Sequence, residues 1–153
     1  MNMQTEKLPH ALLSGLVGAV ALNILHETVR QFVPQAPRAD LLGERSIVKG
    51  FKAAGAEPPT GNALYASAMA GDVLSNALYY SAIGLSDTRP VLTGAAIGAL
   101  AGVGAVTLPG PMGLGEGPTE RTPATVVMTI GWYLFGGLVA GAVYERFRRP
   151  TTA

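Results

Sequence analysis

The chain has 153 residues, 48% hydrophobic and 14% charged, with 20 glycines and a formal charge of +1. Soluble domains carry about 25% charged residues, so this balance points to a single domain, residues 1–153, built for a lipid bilayer. A near-neutral charge excludes a nucleic-acid partner, which would leave a basic face. The absence of cysteine excludes a disulfide framework and thiolate metal sites. The two histidines, His10 and His26, lack metal-ligand spacing, so neither metal nor cofactor is expected.

Residues 1–7 form a short polar leader. Residues 8–25 then contain no Asp, Glu, Lys or Arg, and a helical pattern continues to Val33 before Pro34. The alternative is a signal peptide cut near Ala19-Val20-Ala21, but only one Lys precedes the apolar run and helix-compatible sequence continues past the site. Residues 8–33 are therefore read as the first membrane span. With Gly15 at zero, Ala19, Asn23, His26 and Arg30 fall at about 40°, 80°, 20° and 60° around this helix. They form a seam that is small at one end and polar at the other. Glu27 stands three residues before Arg30, a spacing that permits an ion pair.

The connection that follows is bounded by Pro34 and Pro37 on one side and Pro58-Pro59 on the other. Inside it, residues 40–54 read as a short amphipathic helix. Ile47, Val48 and Phe51 share one side beside Arg45, Lys49 and Lys52. That pattern fits a helix at the membrane surface or a solvated connector resting on the spans.

Residues 61–85 form the second span, with Thr60 or Asn62 as its cap. Tyr65, Asp72, Asn76 and Tyr79 fall within roughly 60° of one another, opposite Ala70, Leu74 and Leu78. After a turn in which Asp87 or Thr88 can cap and Pro90 opens the helix, residues 90–108 form the third span. It holds Gly94, Gly98 and Gly102 at a spacing of four, a ladder for close helix packing, as do Gly137 and Gly141 on the fourth. Residues 109–122 read as a compact Gly/Pro-rich turn without a phosphate-loop pattern. Thr122-Pro123 then starts the fourth span, residues 123–144, and Arg146, Arg148 and Arg149 follow it. At about 1.5 Å per residue the four segments reach roughly 28–39 Å, enough to cross.

Counted inward from the long connection, Asn23, Asp72 and Trp132 lie about 15, 16 and 14 Å deep. Trp132 is thus too deep for an interfacial belt and its N–H needs an acceptor inside. The expected fold is all-α, a polytopic four-transmembrane-helix bundle with a polar core of Asn23, His26, Arg30, Asp72, Asn76 and Trp132. An ionised Asp at mid-bilayer costs roughly 2.5–3.5 kcal/mol, so Asp72 should be paired inside, with Arg30 and His26 within reach.

The motifs LHETVR (25–30), PRADLLGE (37–44), AGDVLSNALYYS (70–81), PMGLG (111–115) and GWYLFGG (131–137) together resemble a group of uncharacterised small bacterial four-helix integral membrane proteins. That resemblance implies a bacterial inner membrane and carries no activity. The basic exit after the fourth span favours cytoplasmic termini. The leading expectation is a non-enzymatic structural or assembly component packing through Gly-rich helices. Its partners would be the bilayer and a second copy or a larger membrane protein. The alternative is a small transporter or channel with a proton or solute site around Asp72. A third reading, a lipid-directed enzyme using His26 and Glu27, lacks a nucleophile–base–orienter chain.

Overall fold

The computed structural model describes residues 3–86 and 88–148, and all regular structure in them is helical. Six helices follow in order: α1 (Met3–Val29), α2 (Ala39–Ala53), α3 (Gly61–Ser81), α4 (Pro90–Thr107), α5 (Gly117–Glu120) and α6 (Pro123–Arg148). Three are long and apolar enough to cross a membrane: Lys7–Val29 within α1, α4 and α6. The fourth expected span, α3, has 21 residues but falls short in apolarity. Ser67, Asp72, Ser75, Asn76 and three tyrosines dilute its leucines and alanines.

Several boundaries differ from expectation for local reasons. Regular helix in α1 stops at Val29, and turn bonds such as Val33 N–H to Val29 O at 3.0 Å carry the chain to Pro34. Proline disfavours helical backbone in the residue before it. α3 ends at Ser81 and tightens into a 3-10 turn, Ala82–Leu85. Thr60 occupies the cap position of α3 without a side-chain cap bond. The cap position of α4 belongs to Arg89, in left-handed backbone at φ 53°, with Pro90 in the first turn. Asp87, Arg149 and the first two residues lie outside the described residues. At the start of α6 the Thr125 N–H donates to Thr122 Oγ1 at 3.1 Å, a side-chain cap.

The long helices are not a closed bundle. The most extensive pairings are α4 with α6, α1 with α3 and α1 with α6, whereas α3 meets α4 and α6 at few points. The order across the molecule is therefore α3, α1, α6, α4, an arc open between its two ends. Glycine sets the tightest contact. A Cβ on Gly98 would lie 2.6 Å from Tyr133 O, one on Gly102 2.7 Å from Ile130 Cα, and one on Gly141 2.8 Å from Pro90 O; Gly94 and Gly137 face each other's carbonyls. The ladder of α4 is thus used within the chain, against α6. Ala19, Leu22, Ala77, Tyr80 and Ala140 fill the centre. Outward, Leu13, Ile24, Leu74, Leu78, Leu92, Leu100 and Val127 are exposed. Together with three helices long and apolar enough to cross a membrane, these exposed apolar side chains mark a membrane protein.

One end of the arc is covered by α2 and the Gly/Pro segment. α2 lies on α3, with Gly43 packed at Ala68. Arg45 Nη1 donates to Leu114 O at 2.6 Å, and Lys49 Nζ donates to Met112 O. Gly113 and Gly115, at φ 68° and 81°, turn these carbonyls toward α2, a backbone region that favours glycine. The turn is pinned further by Arg38 N–H to Pro118 O at 2.8 Å and Arg121 Nη2 to Pro34 O at 2.6 Å. Two of the basic side chains of α2 are thus spent on this cover.

Candidate functional site

The polar seam forms where α1 crosses α3. As α1 runs through Gly15, Asn23 and Glu27, its partners on α3 run backwards through Ala77, Asp72 and Tyr65, so the two helices are antiparallel. Asp72 Oδ2 accepts a hydrogen bond from Asn23 Nδ2 at 2.7 Å, and Asp72 Oδ1 accepts one from Asn76 Nδ2 at 3.0 Å. Asn76 also donates to the Asp72 carbonyl at 3.0 Å, tying the side chains into one turn of helix. Both carboxylate oxygens therefore face neutral amide donors. The expected pairing of Asp72 with Arg30 or His26 does not occur, because Arg30 is claimed from the other direction.

Arg30 stands at the exit of α1, where its Nη2 donates to Glu27 Oε2 at 2.6 Å and to the Tyr65 oxygen at 3.2 Å. Tyr65 in turn donates to Glu27 Oε2 at 2.9 Å. From the start of α2, Asp40 reaches Arg30 Nη1 at 3.4 Å and is gripped by Arg38 through Nε at 2.9 Å and Nη2 at 2.7 Å. Two carboxylates and two guanidiniums thus lock the ends of α1, α2 and α3 together with no net charge. Burial by itself would raise the Asp40 carboxyl, but the Arg38 hydrogen bond and the charges of Arg38 and Arg30 bring it below the ordinary carboxylate range. Arg38 moves up from its ordinary value, chiefly through that same bond.

His26 is 4% exposed and sits between the two groups. Its ring centroid lies 4.8 Å from that of Trp132, at 50°, and 6.0 Å from that of Tyr133, edge-on. Its Nε2 is buried without a partner, as is Arg30 Nε. Trp132 joins the core through its ring; among the described residues its N–H makes no hydrogen bond. Glu27 is held by Arg30 and Tyr65 rather than by His26, so the acid–base pair of the enzyme reading is not assembled. Among the described residues no three of His, Asp or Glu are gathered to hold a metal.

Asp72 borders two spaces. One is a cavity of about 10 Å³ lined by Asn23, His26, Glu27, Arg30, Asp40 and Asp72 among others, large enough for about one water. The other is a cleft of about 780 Å³ between α3, α4 and α2, also lined by Asn76, Tyr79 and Tyr133.

Five contributors escaped sequence reasoning. Asp40 and Arg38 sit in a connection, and only the docking of α2 brings them to Arg30. Tyr80 donates to Tyr133 O at 2.9 Å, joining α3 to α6 where helix periodicity within one segment gives no signal. Thr125 and Thr129 are fully buried and bond to Gln35 O at 2.8 Å and Thr119 O at 3.0 Å.

Comparison with family models, curated proteins and solved structures finds no match for this chain.

Proposed function

We propose that this chain is a small polytopic protein of the bacterial inner membrane, with α3 as a fourth crossing helix and cytoplasmic termini, that carries a proton or solute site at Asp72. The observation that carries this reading is the position of the carboxyl. It is held by two amides, lacks a cationic partner among the described residues, and borders both the enclosed polar cavity and the open cleft. An ionisable group inside a membrane protein is costly to keep and marks transport or proton exchange by default. The crossing of α3 is supported by its length, about 31 Å, by the bonds of Tyr65 and Asp72 to α1, and by the exposure of Leu74 and Leu78.

The test is proton flux into liposomes under an imposed gradient, read beside melting temperature. Asp72→Asn keeps the size and one hydrogen-bonding oxygen, so it should melt within a few degrees of wild type and lose flux. A wild type without flux under any gradient would remove the proton part of the reading.

The assembly reading keeps one supporting observation, the uncovered gap between α3 and α4. It stands second because the glycines offered for it pack within the chain. Its test is the mass of the detergent-solubilised protein, which it requires to be a multiple of the monomer.

A further inference from the structure

The cleft beside Asp72 has an unusual chemistry. Its floor is Leu100, Ala101, Gly104 and Ala105 on α4 with Leu108 just after it, its roof on α2 is Leu42 and Ile47, and its wall on α3 carries Asp72 and Asn76. Among the described residues that line it, Asp72 is the one charged side chain; no Lys, Arg or His contributes. Tyr79 and Tyr133 line the same space. The volume, about 780 Å³, falls within the roughly 300–1,000 Å³ of pockets that take drug-sized molecules. Because α3 and α4 scarcely touch, the cleft opens between two helices whose outer faces are apolar, so a molecule dissolved in the bilayer enters without crossing water.

We infer that this cleft binds small lipophilic cations, with Asp72 as the counter-charge; the inference rests on the proposed site at Asp72 and names its ligand class. Every charged group near the closed cavity other than Asp72 is already paired: Glu27 with Arg30, and Asp40 with Arg38 and Arg30. Asp72 has only amide donors, so it remains the unneutralised carboxyl at the cleft wall. An apolar cation brings the missing charge and covers the apolar floor at once. Tyr79 and Tyr133 also line the cleft, and aromatic rings attract a cation over an anion. Anionic lipid headgroups are repelled by the same carboxylate, and a neutral acyl chain would gain nothing from it.

The experiment measures binding of radiolabelled tetraphenylphosphonium to the full chain in nanodiscs of neutral lipid. Tetraphenylborate, the anion of the same shape, serves as competitor. Saturable binding of one cation per chain is expected, displaced by unlabelled cation and not by the borate. Asp72→Asn should weaken it at least tenfold. A Cβ on Gly71 meets nothing within 4 Å and this residue lines the cleft, so Gly71→Leu should fill the space, weaken binding at least tenfold and keep the wild-type melting temperature. Absence of saturable binding, equal displacement by borate, or full affinity in Asp72→Asn would each overturn the inference. So would a Ser75→Cys/Leu100→Cys pair that cross-links only between chains, since a second copy would then occupy the cleft. Proton flux through wild type without cation binding would refute this inference alone, and cation binding without flux would refute the proton reading alone.

Discussion

At the scale of single residues, the two polar groups near the end of α1 answer to different physics. Asp72 is supported by neutral donors, and losing one strands part of a carboxylate. Asn23→Leu and Asn76→Leu should each destabilise by about 1–3 kcal/mol, read as a fall in melting temperature that Asp72→Asn does not share. Asp40 is a charged group made whole by Arg38, and it gives the molecule a pH dependence. Its folded pKa lies below the ordinary 3.8, so its stabilisation is complete above that value and is lost as pH falls through the lower folded pKa. Asp40→Asn should therefore lower stability at neutral pH by about 1–3 kcal/mol and flatten the acid limb of the stability–pH curve below about pH 4. An unchanged acid limb would assign the pH dependence to other carboxyls. The seam of Asn23, Asp72 and Asn76 was legible in sequence because helical angle and depth are counted along the chain. Of the partners of Arg30, Glu27 was legible from its spacing; Asp40 was not, because it reaches Arg30 only through the docking of α2, which no periodicity within α1 encodes.

At the scale of elements, the glycine ladder was legible and its partner was not. A spacing of four says that some backbone comes close, and Gly94, Gly98 and Gly102 leave that partner unnamed. The structure names α6, with Gly137 and Gly141 answering from the other side. Gly98→Leu or Gly102→Leu must push α4 and α6 apart or force off-rotamer packing, at about 1–3 kcal/mol or more, so detergent melting should fall clearly. Gly131 is the internal control: it is helical and a Cβ there meets nothing within 4 Å. Gly131→Ala should hold or raise the melting temperature, since alanine is favoured over glycine in a helix by roughly 0.5–1 kcal/mol. Equal losses at Gly98 and Gly131 would mean that helix propensity, not the α4–α6 contact, governs the result. The same limit on local reading explains α5 and the 3-10 turn: both are short closures shaped by what they pack on.

At the scale of the whole molecule, the question is whether α3 crosses the bilayer. Composition alone counts three spans. Of the polar residues that dilute α3, Tyr65 and Asp72 bond to α1, Asn76 to Asp72 and Tyr80 to α6, whereas Ser67, Ser75 and Tyr79 are exposed. A helix whose polar side is satisfied by a neighbour crosses at far lower cost than its mean apolarity suggests, because the bilayer charges only for groups it must solvate. The consequence is topological. Ala56 and Thr88 are exposed on either side of α3, and Gly117 is exposed beyond α4. If α3 crosses, Ala56→Cys and Gly117→Cys react with a membrane-impermeant maleimide from one side and Thr88→Cys from the other. If α3 lies along the surface, Ala56→Cys and Thr88→Cys react together and Gly117→Cys opposite them. Because α4 separates Thr88 from Gly117 in both arrangements, that pair calibrates the labelling, and Ala56 decides. Labelling of Ala56→Cys on the Thr88 side would leave three spans, place Asp72 at the interface, and remove the bilayer argument for its role.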